Sequence, residues 1–97
     1  MNSQIRTEAV DRMMEAVLTL RDKEECYRFF EDLCTVQELL SMSQRLAVAD
    51  MLTRHKTYME ITEKTGASTA TISRVNRTHR YGEGGWKLVL DRLDGRE

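Results

Sequence analysis

The residues best able to do covalent or metal chemistry are sparse in this chain and poorly placed for it. His55 and His79 stand apart, with no nucleophile–base constellation around either. Cys26 and Cys34 form no C-x-x-C pair and no Cys/His cluster with metal-ligand spacing. Lying in helix-forming sequence, they are predicted to act as small buried hydrophobes. The run Gly82-Glu83-Gly84-Gly85-Trp86-Lys87 distantly suggests a phosphate loop, but it lacks the full glycine spacing and the Ser or Thr after the lysine. The sequence thus predicts neither an enzyme nor a cofactor or metal site.

Non-covalent chemistry is concentrated in one segment. The formal net charge is −1, which by itself argues against a polyanionic partner. Its distribution argues the other way. No acidic residue occurs from Lys64 to Gly82, a stretch that holds Lys64, Arg74, Arg77 and Arg80 and carries +4, while the remainder carries −5. One short segment can therefore face phosphates while the rest keeps the molecule soluble.

The same segment has the pattern of two short helices joined by a turn. Gly66 lets the chain leave the right-handed helical region between them. Ile61, Ala67, Ile72 and Val75 are spaced to meet at the inner corner, and Thr62 stands where a smaller alanine is usual. Ser68 is suited to cap the second helix. The outward positions of that helix are Thr69, Ala70, Ser73, Arg74 and Arg77, with Thr71 beside them. They are small or polar at the N-terminal end, where a backbone must approach base edges, and basic further along. Hydroxyls can bond bases or phosphates, alanine can touch a thymine methyl, and a helix N-terminus favours anionic oxygen. A helical hairpin packed in an ordinary core would carry glutamates as well as lysines outside; this one carries no acid.

Positioning such a face requires a helical frame, and the chain predicts one. It has no proline, and no useful length of period-2 alternation. Asp22 with Glu25, Thr35 with Glu38, and Thr57 with Glu60 have the spacing of reciprocal capping boxes, so several short helices are expected. The pattern predicts helices near 4–20, 23–33, 36–41, 44–55, 58–65, 69–77 and 84–93, in a single domain over 1–97. In the first helix Ile5, Ala9, Met13, Val17 and Leu20 form one apolar stripe, and Val10, Met14 and Leu18 an adjoining one. A small monomer needs only the first stripe; the second is expected to meet a symmetric partner chain. With no 18-residue apolar run and no signal-peptide pattern, the cytoplasm is the expected compartment.

On these residues the chain resembles the Trp repressor superfamily, most closely its small YerC/YecD-type branch. The resemblance runs from about Phe29 to Leu93 and is most specific at Gly66-Ala67-Ser68-Thr69-Ala70-Thr71-Ile72-Ser73-Arg74 and at Thr35 with Ser43-Gln44-Arg45. It implies an all-α, intertwined homodimer of short helices whose helix-turn-helix elements enter successive major grooves of double-stranded DNA. It also implies an effector pocket walled by Arg45 and Arg74, with Thr35 near its entrance and Thr78 in place of a serine. Val75 stands where that repressor has glycine, and a branched side chain there would intrude where an indole should lie. Tryptophan is therefore not expected as the corepressor, and any effector is an unidentified small molecule. Ser68, Thr69, Ala70 and Ser73 are compatible with base-edge or close backbone contact, and Arg80 matches a phosphate contact. Met59 and Thr62 replace charged or long polar residues, so the operator need not be the same. The expected function is a sequence-specific DNA-binding regulator, a repressor acting as a homodimer on a two-fold symmetric operator. The alternative is a helix-turn-helix module that contacts proteins of the transcription machinery.

Overall fold

The computed structural model describes residues 3–95 as six α-helices, with no strand among them. They are α1 (Glu8–Leu18), α2 (Lys23–Leu33), α3 (Val36–Thr53), α4 (Tyr58–Thr65), α5 (Thr69–Tyr81) and α6 (Gly85–Leu93). Among the described residues, no helix is long and apolar enough to cross a membrane. The chain divides into two compact units, one ending at Leu39 and the other beginning at Leu40, so the division falls inside α3.

In the first unit, side-chain oxygens set the helix starts. The Thr7 hydroxyl accepts from the Val10 amide at 3.2 Å, so α1 begins at Glu8 and not near residue 4. Asp22 caps α2 by accepting from the Glu25 amide at 2.9 Å, but Glu25 reaches back to the Arg21 amide instead of completing the expected box. At the start of α3 the box is complete: the Thr35 amide donates to Glu38 Oε1 at 2.8 Å, and the Glu38 amide donates to Thr35 Oγ1 at 3.1 Å. Phe29 and Phe30 meet edge to face with centroids 5.4 Å apart. No residue of α1 or α2 is buried. Cys26 and Cys34 are accordingly free and only half-buried, a shallower placement than their expected role as core hydrophobes. Leu18 is 84% and Met14 50% exposed in the second apolar stripe, with Val10 half-buried, and the first stripe, expected to be covered within the chain, is open as well: Ile5 is 55% and Met13 36% exposed, and only Val17 and Leu20 are half-buried.

The second unit holds the core. Val48 and Ala49 of α3, Ile61 of α4, Ala67 of the turn, Ile72 and Val75 of α5, and Leu90 of α6 are buried together. Leu46, Met51, Leu52, Tyr58 and Trp86 pack around them. Truncating a residue as buried as Ile72 to alanine typically costs about 2–5 kcal/mol. The sequence pattern places a break near Ser41-Met42-Ser43, yet α3 runs through it without interruption. The Ser43 hydroxyl donates back to the Leu40 carbonyl at 2.8 Å, which satisfies the polar group without leaving the helix. α3 ends where His55 turns to φ +60°, and the Lys56 amide returns to the Met51 carbonyl at 3.1 Å. α5 continues past the expected end at Arg77, because the first residue that breaks it is Gly82.

Candidate nucleic-acid interface

The interface is built on α4, the turn and α5. Thr57 starts α4 with a full capping box: its hydroxyl accepts from the Glu60 amide at 3.1 Å, and its own amide donates to Glu60 Oε1 at 3.2 Å. The Thr57 hydroxyl also donates to Glu60 Oε1 at 3.0 Å, and the bonds that the carboxylate accepts from the Thr57 amide and hydroxyl hold the Glu60 carboxyl below the usual glutamate value. α4 stops at Gly66, whose φ is +74° and whose amide donates to the Thr62 carbonyl. A Cβ at Gly66 would touch nothing, so it is the backbone conformation alone that calls for glycine. Just before it, the Thr65 hydroxyl donates to the Ile61 carbonyl at 2.7 Å and accepts from the Ala67 amide at 3.1 Å. The Gln44 amide, reaching across from α3, donates to the Thr65 carbonyl at 3.1 Å and satisfies one of the carbonyls left open at the helix end.

Ser68 caps α5, as its position predicts. Its hydroxyl accepts from the Thr71 amide and donates to Thr71 Oγ1, both at 3.1 Å. The two side chains therefore stiffen the helix start together, and Thr71 is half-buried. The inner-corner residues Ile61, Ala67, Ile72 and Val75 are all buried, at 2% exposure or less. Asn76 Nδ2 donates to the Tyr58 hydroxyl at 3.3 Å, a polar tie between α5 and α4 that periodicity alone does not reveal. With one face of α5 fixed inward, Thr69, Ala70, Ser73, Arg74, Arg77 and Arg80 are all exposed. Among the described residues none of the three arginines is held in an ion pair, so their guanidinium groups remain available to external anions.

The residues set apart for an effector are placed less uniformly. Arg45 on α3 and Arg74 on α5 are exposed. Val75, at 2% exposure, is a full member of the core. The Thr78 hydroxyl donates to the Val75 carbonyl at 2.9 Å and accepts from the Trp86 indole N–H at 3.0 Å. Thr35 lies in the first unit as the N-cap of α3. Trp86 is the main participant that sequence reasoning missed. The available signal is a lone tryptophan directly after Gly84 and Gly85.

Helices this short, a glycine turn in left-handed geometry and a basic, acid-free outer face define an all-α helix-turn-helix protein. Known proteins make the assignment more specific. The chain belongs to the Trp repressor protein family, whose model matches residues 8–94. It is 51% identical to the YerC protein of Bacillus subtilis (strain 168) over 89 residues, which is 92% of this chain and 86% of that one. A solved structure of a TrpR-like protein from Eubacterium eligens superposes with a TM-score of 0.93 at 54% identity, covering 99% of both chains. Another, from Staphylococcus aureus, gives a TM-score of 0.90 at 49% identity, covering 94% of this chain and 91% of that one.

Proposed function

We propose that the chain is a cytoplasmic, sequence-specific DNA-binding transcriptional regulator. In this reading it acts as one domain and represses by binding, as a homodimer, to an operator with two-fold symmetry. The observation that carries the reading is the exposed face of α5. It presents Thr69, Ala70 and Ser73 at its N-terminal end and Arg74, Arg77 and Arg80 beyond, with no acid between Lys64 and Gly82. The small residues permit close approach to base edges, Ser68 and Thr71 hold the helix start that faces them, and the arginines reach phosphates. A face used only for protein contacts has no need to exclude carboxylates. The homodimer is supported by the first unit, in which Leu18, Met14, Leu33 and Val36 are 84%, 50%, 47% and 76% exposed. Family membership supports the repressor reading.

The test is duplex DNA binding across a range of salt. Each phosphate neutralised contributes roughly 0.9 to the slope of log affinity against log salt. Arg80→Ala should weaken binding to all sequences about equally and make the slope shallower by about 1–2 units per dimer. Changes at Thr69 or Ser73 should instead alter sequence preference. An Arg80→Ala protein with unchanged affinity and slope on a tightly bound operator shows that this face is not the DNA face. Failure of the parent to bind either duplex DNA or heparin favours a protein-contacting module.

A further inference from the structure

The chain has two histidines, far apart in sequence, and the fold brings both to one place. His55, in the turn that ends α3, and His79, in the last turn of α5, border the same hollow, and both are exposed. The Asn76–Tyr58 hydrogen bond at 3.3 Å holds the start of α4 against α5, so the turn that carries His55 and Lys56 runs beside the second half of α5. That half also carries Arg77 and Arg80, and His79 directly precedes Arg80. We propose that the phosphate-facing surface of α5 extends over His55 and His79, and that protonation of the two imidazoles strengthens DNA binding as pH falls from about 8 to about 6, an extension that rests on the DNA-binding reading of that helix.

The groups around the pair decide what a proton there does. Arg54 and Lys56 flank His55, and Arg80 and Tyr81 follow His79. On α6, Lys87 and Asp91 pair with each other at 2.6 Å. Arg54 is engaged by Asp50 at 3.3 Å and by Asp94 at 3.7 Å. On α4, Glu60 accepts from the Thr57 amide and hydroxyl, and Glu83, in the turn before α6, is not free either. Every acid near the histidines is thus already engaged, so an imidazolium finds no spare carboxylate within the chain. A DNA phosphate supplies the missing negative charge, and an opposite charge within about 4–6 Å favours the protonated form. DNA binding and proton uptake then reinforce each other. Histidine is the side chain whose charge ordinarily changes between about pH 5 and 8, while carboxylates, lysines and arginines keep theirs. Among the described residues no three metal-ligating side chains gather, so the pair is not part of a metal cluster.

The test is the affinity for duplex DNA between about pH 8 and pH 6, at fixed salt and with EDTA present. The parent should bind about tenfold or more tightly at the lower pH, on the order of four weak surface charge pairs in a dimer. Its slope of log affinity against log salt should also be steeper there, by about 2–4 units. His55→Asn is the conservative change at that position, because asparagine tolerates a φ of +60°. His55→Asn and His79→Gln should each reduce both effects, and the double variant should abolish them, with helicity unchanged because both side chains lie at the surface. Calorimetry of the unmodified protein, in buffers of different ionisation enthalpy, should show protons taken up as DNA binds near about pH 6.5. Zero uptake overturns the proposal. So does a double variant as pH-dependent as the parent, since the titrating groups then lie elsewhere. Salt-dependent binding that does not vary with pH overturns the histidine extension and leaves the DNA reading standing. A parent that binds no DNA at any pH overturns that reading, and the extension with it.

Discussion

Trp86 donates its indole N–H to Thr78 Oγ1 across 3.0 Å, and the same threonine donates its proton to the Val75 carbonyl at 2.9 Å. One hydroxyl thus links α6 to the helix that carries the DNA-facing residues. A hydroxyl has one donor and two acceptor positions, so the donor and one acceptor of Thr78 are engaged. Thr78→Val keeps the β-branched shape but removes the acceptor for the indole. The expected loss is about 1 kcal/mol, at the exposed end of hydrogen-bond contributions. For a domain of this size that lowers Tm by roughly 4–8 °C, and Trp86 emission should change with it. Unchanged stability and emission would show that water replaces the bond without cost.

The parts of this arrangement that sequence made legible are those with a local cause. Gly66 and the apolar spacing of Ile61, Ala67, Ile72 and Val75 identify the corner because φ and helical periodicity act within a few residues. Ser68, Thr35 and Thr57 are legible as caps for the same reason. The continuity of α3 was not, since a serine's back-bond to Leu40 competes evenly with a break in any sequence-level argument. The Trp86–Thr78 and Asn76–Tyr58 ties join separate helices, and no periodicity encodes which polar groups meet across them. The shallow burial of Cys26 and Cys34 was missed because it depends on a unit that has no buried residue of its own.

Two of the caps have a pH signature. Hydrogen bonds from Thr35 lower the Glu38 carboxyl below its ordinary value of 4.5, and those from Thr57 do the same for Glu60. A carboxyl depressed in the folded state contributes stability that is present above the unfolded value and lost as pH falls through the folded one. Acidification below about 4.5 should therefore destabilise the helix starts of α3 and α4. Denaturant midpoints of Glu38→Gln and Glu60→Gln, measured from neutral pH downward, should fall less steeply than the parent's. Parallel curves for parent and variants would assign the acid sensitivity to other carboxylates.

The exposed apolar residues around α1, Met13, Met14 and Leu18 among them, predict the assembly. At micromolar concentration the protein should sediment at about twice its 11.3 kDa chain mass. Leu18, 84% exposed within the chain, becomes costly to replace with a charge only when a partner covers it. Leu18→Lys should thus shift the population toward the lower mass, and any loss of helicity should depend on protein concentration. A parent that sediments as a stably folded monomer would falsify the dimer.

The last prediction concerns tryptophan as a corepressor. The resemblance implies a flat slot for a ring between the arginines, with glycine in the Trp repressor at the position that is Val75 in this chain. Val75 is 2% exposed and packed into the same core as Ile61 and Ile72, so it cannot swing aside without opening that core. Thr78, the neighbouring polar group, is engaged by Val75 and Trp86. Calorimetric titration of ligand-free protein with L-tryptophan should show no saturable binding, and DNA affinity should not depend on it. Val75→Gly opens the slot but removes a buried side chain and places glycine in a helix, which costs roughly 1 kcal/mol for the glycine alone. Val75→Ala keeps the helix and serves as the second variant. Tryptophan binding gained by either folded variant identifies the valine as the obstruction. Binding at tens of micromolar by the parent, with DNA affinity that rises alongside it, overturns the prediction. If parent and both variants fold and none binds, Arg45 and Arg74 are phosphate-facing or structural residues and not the walls of an indole site.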